Sequence, residues 1–306
     1  MLTLHCLNTY YIMKRVITAA LVAIFAVIAA QGHLLYKVSG GGLEHPSYIF
    51  GTHHFATLSI LDSIPSVMKS LEEVERVCGE IDMLSDSQLA LAMKMQPYMT
   101  APADSTIDRL LPPEQLADLA GKFEAKTGMK LEMMYPLRPI VPQTIILALD
   151  AQRLTGRSMT DPQLDTYLQE QGKKLGKSNA GLETVEQQAE ILYCGKPISS
   201  QLDDLIEMLN TDEDQAALLA ELTDAYMTQD LERMTVLSDK ELKDADDVAY
   251  MKRLLQRRNA DWLSKMPAMM AGSPTLFVVG ALHLPGEDGI LEGLRKSGFT
   301  VTPIAK

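Results

Sequence analysis

The chain has 306 residues, 46% of them hydrophobic, which is enough apolar material for one large core or two modest ones and excludes disorder on the scale of a domain. Its 28 Lys and Arg stand against 40 Asp and Glu, for a net charge of −12. The cations are scattered along the sequence, and this argues against a generic nucleic-acid binder, whose phosphate-contacting face needs them clustered.

Lys14 and Arg15 precede Val16 to Ala30, an uncharged and mostly apolar run that ends in small residues. This is the pattern of a secretory signal peptide, with cleavage expected after Ala29 or Ala30. Met13 opens the pattern, so residues 1–12 read as an over-called start. The alternative is an uncleaved anchor, which would be the only membrane association expected, but the run is shorter than the ~20 residues a spanning helix needs. The expected location is therefore outside the cytoplasm, in a bacterial periplasm or secreted. Residues 31–306 read as a single domain.

Leu34 to Val38 and Ser47 to Phe50 read as the two strands of a hairpin around Ser39-Gly-Gly-Gly42. The second strand runs into Gly51-Thr-His53-His54. Asp62 is expected to cap a helix through about Glu75, with Leu61, Ile64, Val67, Met68, Leu71 and Val74 on one apolar face. The short run Arg76-Val-Cys-Gly-Glu80 then reads as a second strand beside the first, closed by a carboxylate. From about residue 85 to 270 the spacing is overwhelmingly helical, interrupted by Lys177-Ser-Asn-Ala-Gly181, a candidate strand that delivers Glu183. The last helix of this region carries Arg258, Asn259 and Trp262. Leu276 to Val279 then forms an apolar strand ending in Gly280-Ala-Leu-His283, followed by a helix from Gly289 and a closing strand from Phe299 to Ile304.

Two strands thus end in the same spacing, Gly51-x-x-His54 and Gly280-x-x-His283. In open α/β sheets the carboxyl ends of strands are where ligands collect. If the two strands are neighbours, the histidines come together. Glycine at these positions allows a sharp turn or a close approach of backbones. His53 directly precedes His54, and adjacent side chains on an extended segment point to opposite faces, so only one should face a pocket. Cys78 and Cys194 remain after the signal segment; pairing and two free thiols are both open.

The set Gly51-Thr-His-His54, Glu80, Gly181-Leu-Glu-Thr184 with Glu186-Gln187, Arg258-Asn259 with Trp262, and Val279-Gly-Ala-Leu-His-Leu-Pro-Gly286 resembles the TraB/GumN family, from about Leu34 to Ile304. That family is similar to the Tiki metalloproteases and the pheromone-shutdown protein TraB, and more distantly to erythromycin esterases and ChaN-like proteins. The resemblance implies an α/β fold with a mixed central sheet and a large helical insertion. It also implies a site with His54, Glu80 and His283 as metal ligands, Glu80 and Arg258 as catalytic residues, and Glu183, Asn259 and His53 as secondary candidates. Two imidazoles and a carboxylate suit Zn, Mn or Co with an open position for water. Glu80 could instead be a general base. In a metal-free variant one histidine works as base while Glu80 orients it and Arg258 steadies the developing charge. The expected activity is hydrolysis of a peptide or a small amide or ester, with a metal-independent esterase or a non-catalytic binding protein of the same fold as alternatives.

Overall fold

The computed structural model describes residues 32–158, 161–240 and 242–305. The expected signal segment, residues 1–30, lies outside them. The architecture is mixed α/β, built on a six-stranded sheet of β1 (Leu35–Gly40), β2 (Ser47–Thr52), β3 (Arg76–Gly79), β4 (Ser178–Gly181), β5 (Thr275–Gly280) and β6 (Phe299–Pro303). The strand order is β4-β3-β5-β2-β1-β6. Strands β4, β3, β5 and β2 run parallel, while β1 is antiparallel to β2 and to β6.

β5 carries Thr-Leu-Phe-Val-Val, all buried, and β2 is buried throughout. Such continuous apolar runs belong in a sheet covered on both faces. They explain why β5 takes a central place and, in doing so, separates β3 from β2. The sequence pattern set β3 directly beside β2; the actual order puts the Gly280 strand end between the other two. Residues leaving β2 and β3 therefore flank the residues leaving β5.

The first helical stretch is also broken differently from expectation. Helices Ile60–Ser63 and Ser66–Glu73 replace one helix capped by Asp62, because Pro65 lacks the N–H needed to continue the first and instead opens the second. Between β3 and β5 the chain is helical apart from β4. A second apolar cluster, including Phe123, Leu131, Ile146 and Leu205, packs these helices on one another, away from the sheet core. Among the described residues no helix is long and apolar enough to cross a membrane. Cys78 is buried in β3, Cys194 is exposed, and both are free thiols.

The motif glycines serve close approach rather than turning. Gly51 lies within β2, and a Cβ built there would stand 2.7 Å from Leu284 Cδ1 and 3.1 Å from Ala281 Cα. At Gly280 the same atom would stand 3.2 Å from Glu80 Oε1. Gly51→Ala is expected to destabilise the fold by about 1–3 kcal/mol through overpacking. Urea denaturation would measure it; an unchanged midpoint would mean that Leu284 moves aside freely.

Candidate active site at the carboxyl edge of the sheet

The β3–β4 ladder continues past the strand ends, with the Leu182 N–H bonded to the Gly79 carbonyl and the Glu183 N–H to that of Glu80. This register sets Glu80 and Glu183 side by side. Two adjacent carboxylates repel, and burial magnifies the repulsion. Arg258, at the start of the helix Arg258–Gly272, fills the space between them. Its Nε donates to both oxygens of Glu183, at 3.1 and 3.2 Å, and Nη2 donates to Glu183 Oε1 and Glu80 Oε2. Its Nη1 donates to His283 Nε2 at 3.0 Å.

Glu80 gains two further donors. The Gly280 N–H reaches Oε1 at 2.8 Å and Gln188 Nε2 reaches Oε2 at 3.0 Å. Gln188 is placed by the helix Val185–Cys194, whose start is fixed by a reciprocal cap between Thr184 and Gln187. Burial works against the Glu80 charge, but Arg258, then the two histidines and the Gly280 N–H, outweigh it and hold the carboxyl down at about 2.

His283 lies in the short turn Ala281–His283 and is 3% exposed. Asn259 Nδ2 donates to the carbonyls of His283 and Asp288, at 3.2 and 2.9 Å, which orients the amide and leaves Oδ1, 2.6 Å away, to accept from His283 Nδ1. The ring is therefore neutral with its proton on Nδ1, and Nε2 accepts from Arg258. Burial, with the charge of Arg258, outweighs Glu80 and pushes its pKa down to about 3. Trp262 packs against the His283 ring, centroids 4.4 Å apart and tilted by 39°, and its ring lies 4.6 Å from the Arg258 guanidinium carbon.

His54 is in a different environment. Its side chain is 56% exposed and Nδ1 faces Asp165 Oδ2 at 3.6 Å. Asp165 lies in the first turn of the helix Leu164–Lys174; Thr52 Oγ1 donates to its Oδ1 at 2.7 Å, while Oδ2 is buried without a hydrogen-bond partner. Desolvation opposes protonation of His54, but Asp165, aided by the charge of Glu80, prevails and pushes the imidazole up to about 9. His54 and Phe55 form one wall of a cavity of about 160 Å³, closed by Ala148, Ala151, Thr155 and Gln163. Arg157 holds the rim in place by donating to the carbonyls of His54 and Ala56, at 3.0 and 2.7 Å.

His53 turns the other way, against the rings of Phe55 and Tyr226. Burial, followed by the charge of His54, pushes it down to about 4. It is a neutral packing group.

The structure thus brings Glu80, Glu183, Arg258, Asn259 and His283 into one bonded group. His54 stands at the neighbouring strand end, since Thr52 pairs with Gly280. Asp165, Gln188 and Arg157 do not stand out in the sequence. Asp165 had one usable signal, an acid in the first turn of a helix; nothing tied it to His54. A metal ion at His283 does not fit this arrangement, because its Nε2 lone pair already accepts from Arg258, whereas Glu80 uses both acceptor positions of Oε2 and one of Oε1. Among the described residues no group of three His, Cys, Asp or Glu side chains is placed to hold an ion.

Comparison with known proteins gives distant relatives. A metalloprotease TIKI homolog of Amphimedon queenslandica is 21% identical over 90% of this chain and 62% of its own length. Metalloprotease TIKI1 of Danio rerio is 22% identical over 84% of this chain and 61% of its own, and TIKI2 of the same organism is 22% identical over 84% and 58%. The chain spans about three-fifths of the length of these curated relatives. No solved structure matches it. The profile described as the TraB/PrgY/gumN family covers residues 34–303, the whole sheet with its helices, and the chain belongs to that family.

Proposed function

We propose that this protein is an exported hydrolase of amide or ester bonds, with peptides as the first substrate class to test, and that His54 is its reacting side chain. The observation that carries this reading is an accessible imidazole aimed by a buried carboxylate, at the mouth of a cavity on the ligand-collecting edge of the sheet. With its pKa raised to about 9, His54 is protonated at neutral pH. It therefore gives its proton to the leaving group as a water adds to the scissile carbonyl, and it is recharged by the proton that water loses, while Asp165 keeps it charged and oriented. Glu80, held at about 2, is too weak a base to take a proton from water at neutral pH while Arg258 grips it. Its role is to keep a fixed negative charge behind the imidazole. The cavity beside His54 has the size of a small side chain and a partly apolar wall, suited to the residue next to the cleaved bond.

A metal-dependent route is favoured by the names of the relatives, which call them metalloproteases. It requires Arg258 to release Glu80 and His283, which together with His54 would then be the donors for Zn, Mn or Co; such an ion would supply an activated water. The test is hydrolysis of a mixed peptide library and of simple aryl esters by the purified protein, with chelator and then with each metal added back. Turnover that persists in chelator and is lost in His54→Ala is the expected result. Activity that disappears in chelator and returns with one metal would replace this reading by the metal-dependent one. The absence of turnover in every condition would point to a binding protein.

A further inference from the structure

A second cavity, of about 600 Å³, lies at the far end of the Val185–Cys194 helix, between Gly195–Ile198 and the π-helical turn Lys252–Arg257. Its first wall residue on that helix, Glu190, is seven positions on from Glu183, about 10 Å at 1.5 Å per residue, and none of its lining side chains belongs to the bonded group around Arg258. It is a separate place in the fold, and a ligand bound there would not depend on the role of His54.

Its lining is cationic in a chain of net charge −12. Arg138, Arg253 and Arg257 all face it, against one carboxylate, Glu190. Lys196 also lines it but is already neutralised by Asp204 and Asp247. The Nε atoms of Arg138 and Arg253 are buried and have no hydrogen-bond partner. Arg253 spends Nη2 on the Gly195 carbonyl. Among the described residues, no hydrogen bond or ion pair engages the side chains of Arg138 or Arg257. Buried guanidinium N–H groups left unpaired are costly, and the cost is relieved by an acceptor that brings its own charge.

We propose that this cavity binds a small organic anion, a carboxylate or phosphate compound, gripped by Arg138, Arg253 and Arg257. Guanidinium forks match the paired oxygens of both anion types, whereas a spherical halide would satisfy only one donor direction at a time. Ile191 and Ile198 in the wall favour a ligand with a carbon skeleton over a bare ion. The volume suits a metabolite-sized molecule. The π-helical turn that carries two of the three arginines runs directly into Arg258, and π-bulges recur at functional sites.

Cys194 lines the same cavity and is exposed, whereas Cys78 is buried, so its thiol is a built-in reporter. The experiment is alkylation of the whole protein by iodoacetamide, a neutral reagent, followed at Cys194 by peptide mass spectrometry. Citrate, inorganic phosphate and sodium chloride are compared at matched ionic strength. Citrate or phosphate should slow the reaction saturably, at least threefold, and the tighter of the two identifies the preferred anion chemistry. In Arg138→Gln/Arg257→Gln the half-protecting concentration should rise tenfold or more, and in His54→Ala it should not change. The single Arg257→Gln variant, altered at an exposed side chain, serves if the double variant melts early. Equal protection by chloride, no saturable protection by either anion, or protection that survives the arginine substitutions would overturn the proposal.

Discussion

Arg258→Met is expected to destabilise the protein by about 3–5 kcal/mol, because it strands Glu80 and Glu183 as uncompensated buried charges. The side chains of both acids are nearly inaccessible, so water cannot take over from the guanidinium. The triple variant Arg258→Met/Glu80→Gln/Glu183→Gln should recover most of that loss, since replacing a whole buried ion cluster by neutral groups is close to neutral in many proteins. Urea denaturation of the three forms is the measurement. The pH dependence follows from Glu80, whose folded pKa of about 2 lies below its ordinary 4.5. Its stabilising contribution is fully present above about pH 4.5 and is lost as pH falls from there through about 2. Without Arg258 the carboxyl protonates more easily in the folded state, so the deficit of Arg258→Met should shrink on acidification. A deficit below about 1 kcal/mol at neutral pH would show that the cation is dispensable to the fold, against the usual cost of an unpaired buried charge.

The same residue shows what the sequence could and could not reveal. Leu276 to Val279 and Tyr48 to Phe50 were legible as strands because a buried parallel strand is a continuous apolar run closed by glycine. The gathering of Glu80, Arg258 and His283 at one edge was legible through the family resemblance. That Arg258 bonds three of the other candidates was not, because a carboxylate and a guanidinium separated by 178 residues leave no mark in local spacing. Strand order was misjudged for a similar reason. Periodicity marks β2, β3 and β5 as strands, but it carries no information on which of them is inserted between the other two; the full burial of β5 decides that. Asp165 was invisible because its partner Thr52 lies 113 residues away and its carboxylate is otherwise an ordinary acid in the first turn of a helix.

This leaves two kinds of charge at one edge. Arg258 and the two glutamates are buried, saturated and expensive to disturb, which makes them a rigid support. His54 and Asp165 are less saturated: the imidazole is half in water, and Asp165 Oδ2 meets it only as an ion pair at 3.6 Å, with no hydrogen bond. Groups poised to bond something else are those still missing a partner.

His54→Ala is accordingly expected to lower kcat/KM by about 10²–10⁴ and to cost about 1 kcal/mol of stability at neutral pH, because Asp165 loses its cationic partner while the half-exposed ring keeps that loss small. The more discriminating variant is Asp165→Asn. Asp165 holds the His54 imidazole near 9 against its ordinary 6.5. If the protonated ring is the active form, the wild-type rate should hold through neutral pH and fall as pH rises through about 9. Removing the Asp165 charge should draw that descending limb down toward 6.5, so that the two enzymes differ little at about pH 6 and widely at about pH 8. A structural role for Asp165 would lower the rate at every pH by the same factor and leave the limb in place. A wild-type rate that climbs through about pH 9 would make His54 a base instead of an acid. The chemistry would then begin by removing its proton, and Asp165, by holding that proton on, would oppose the first step.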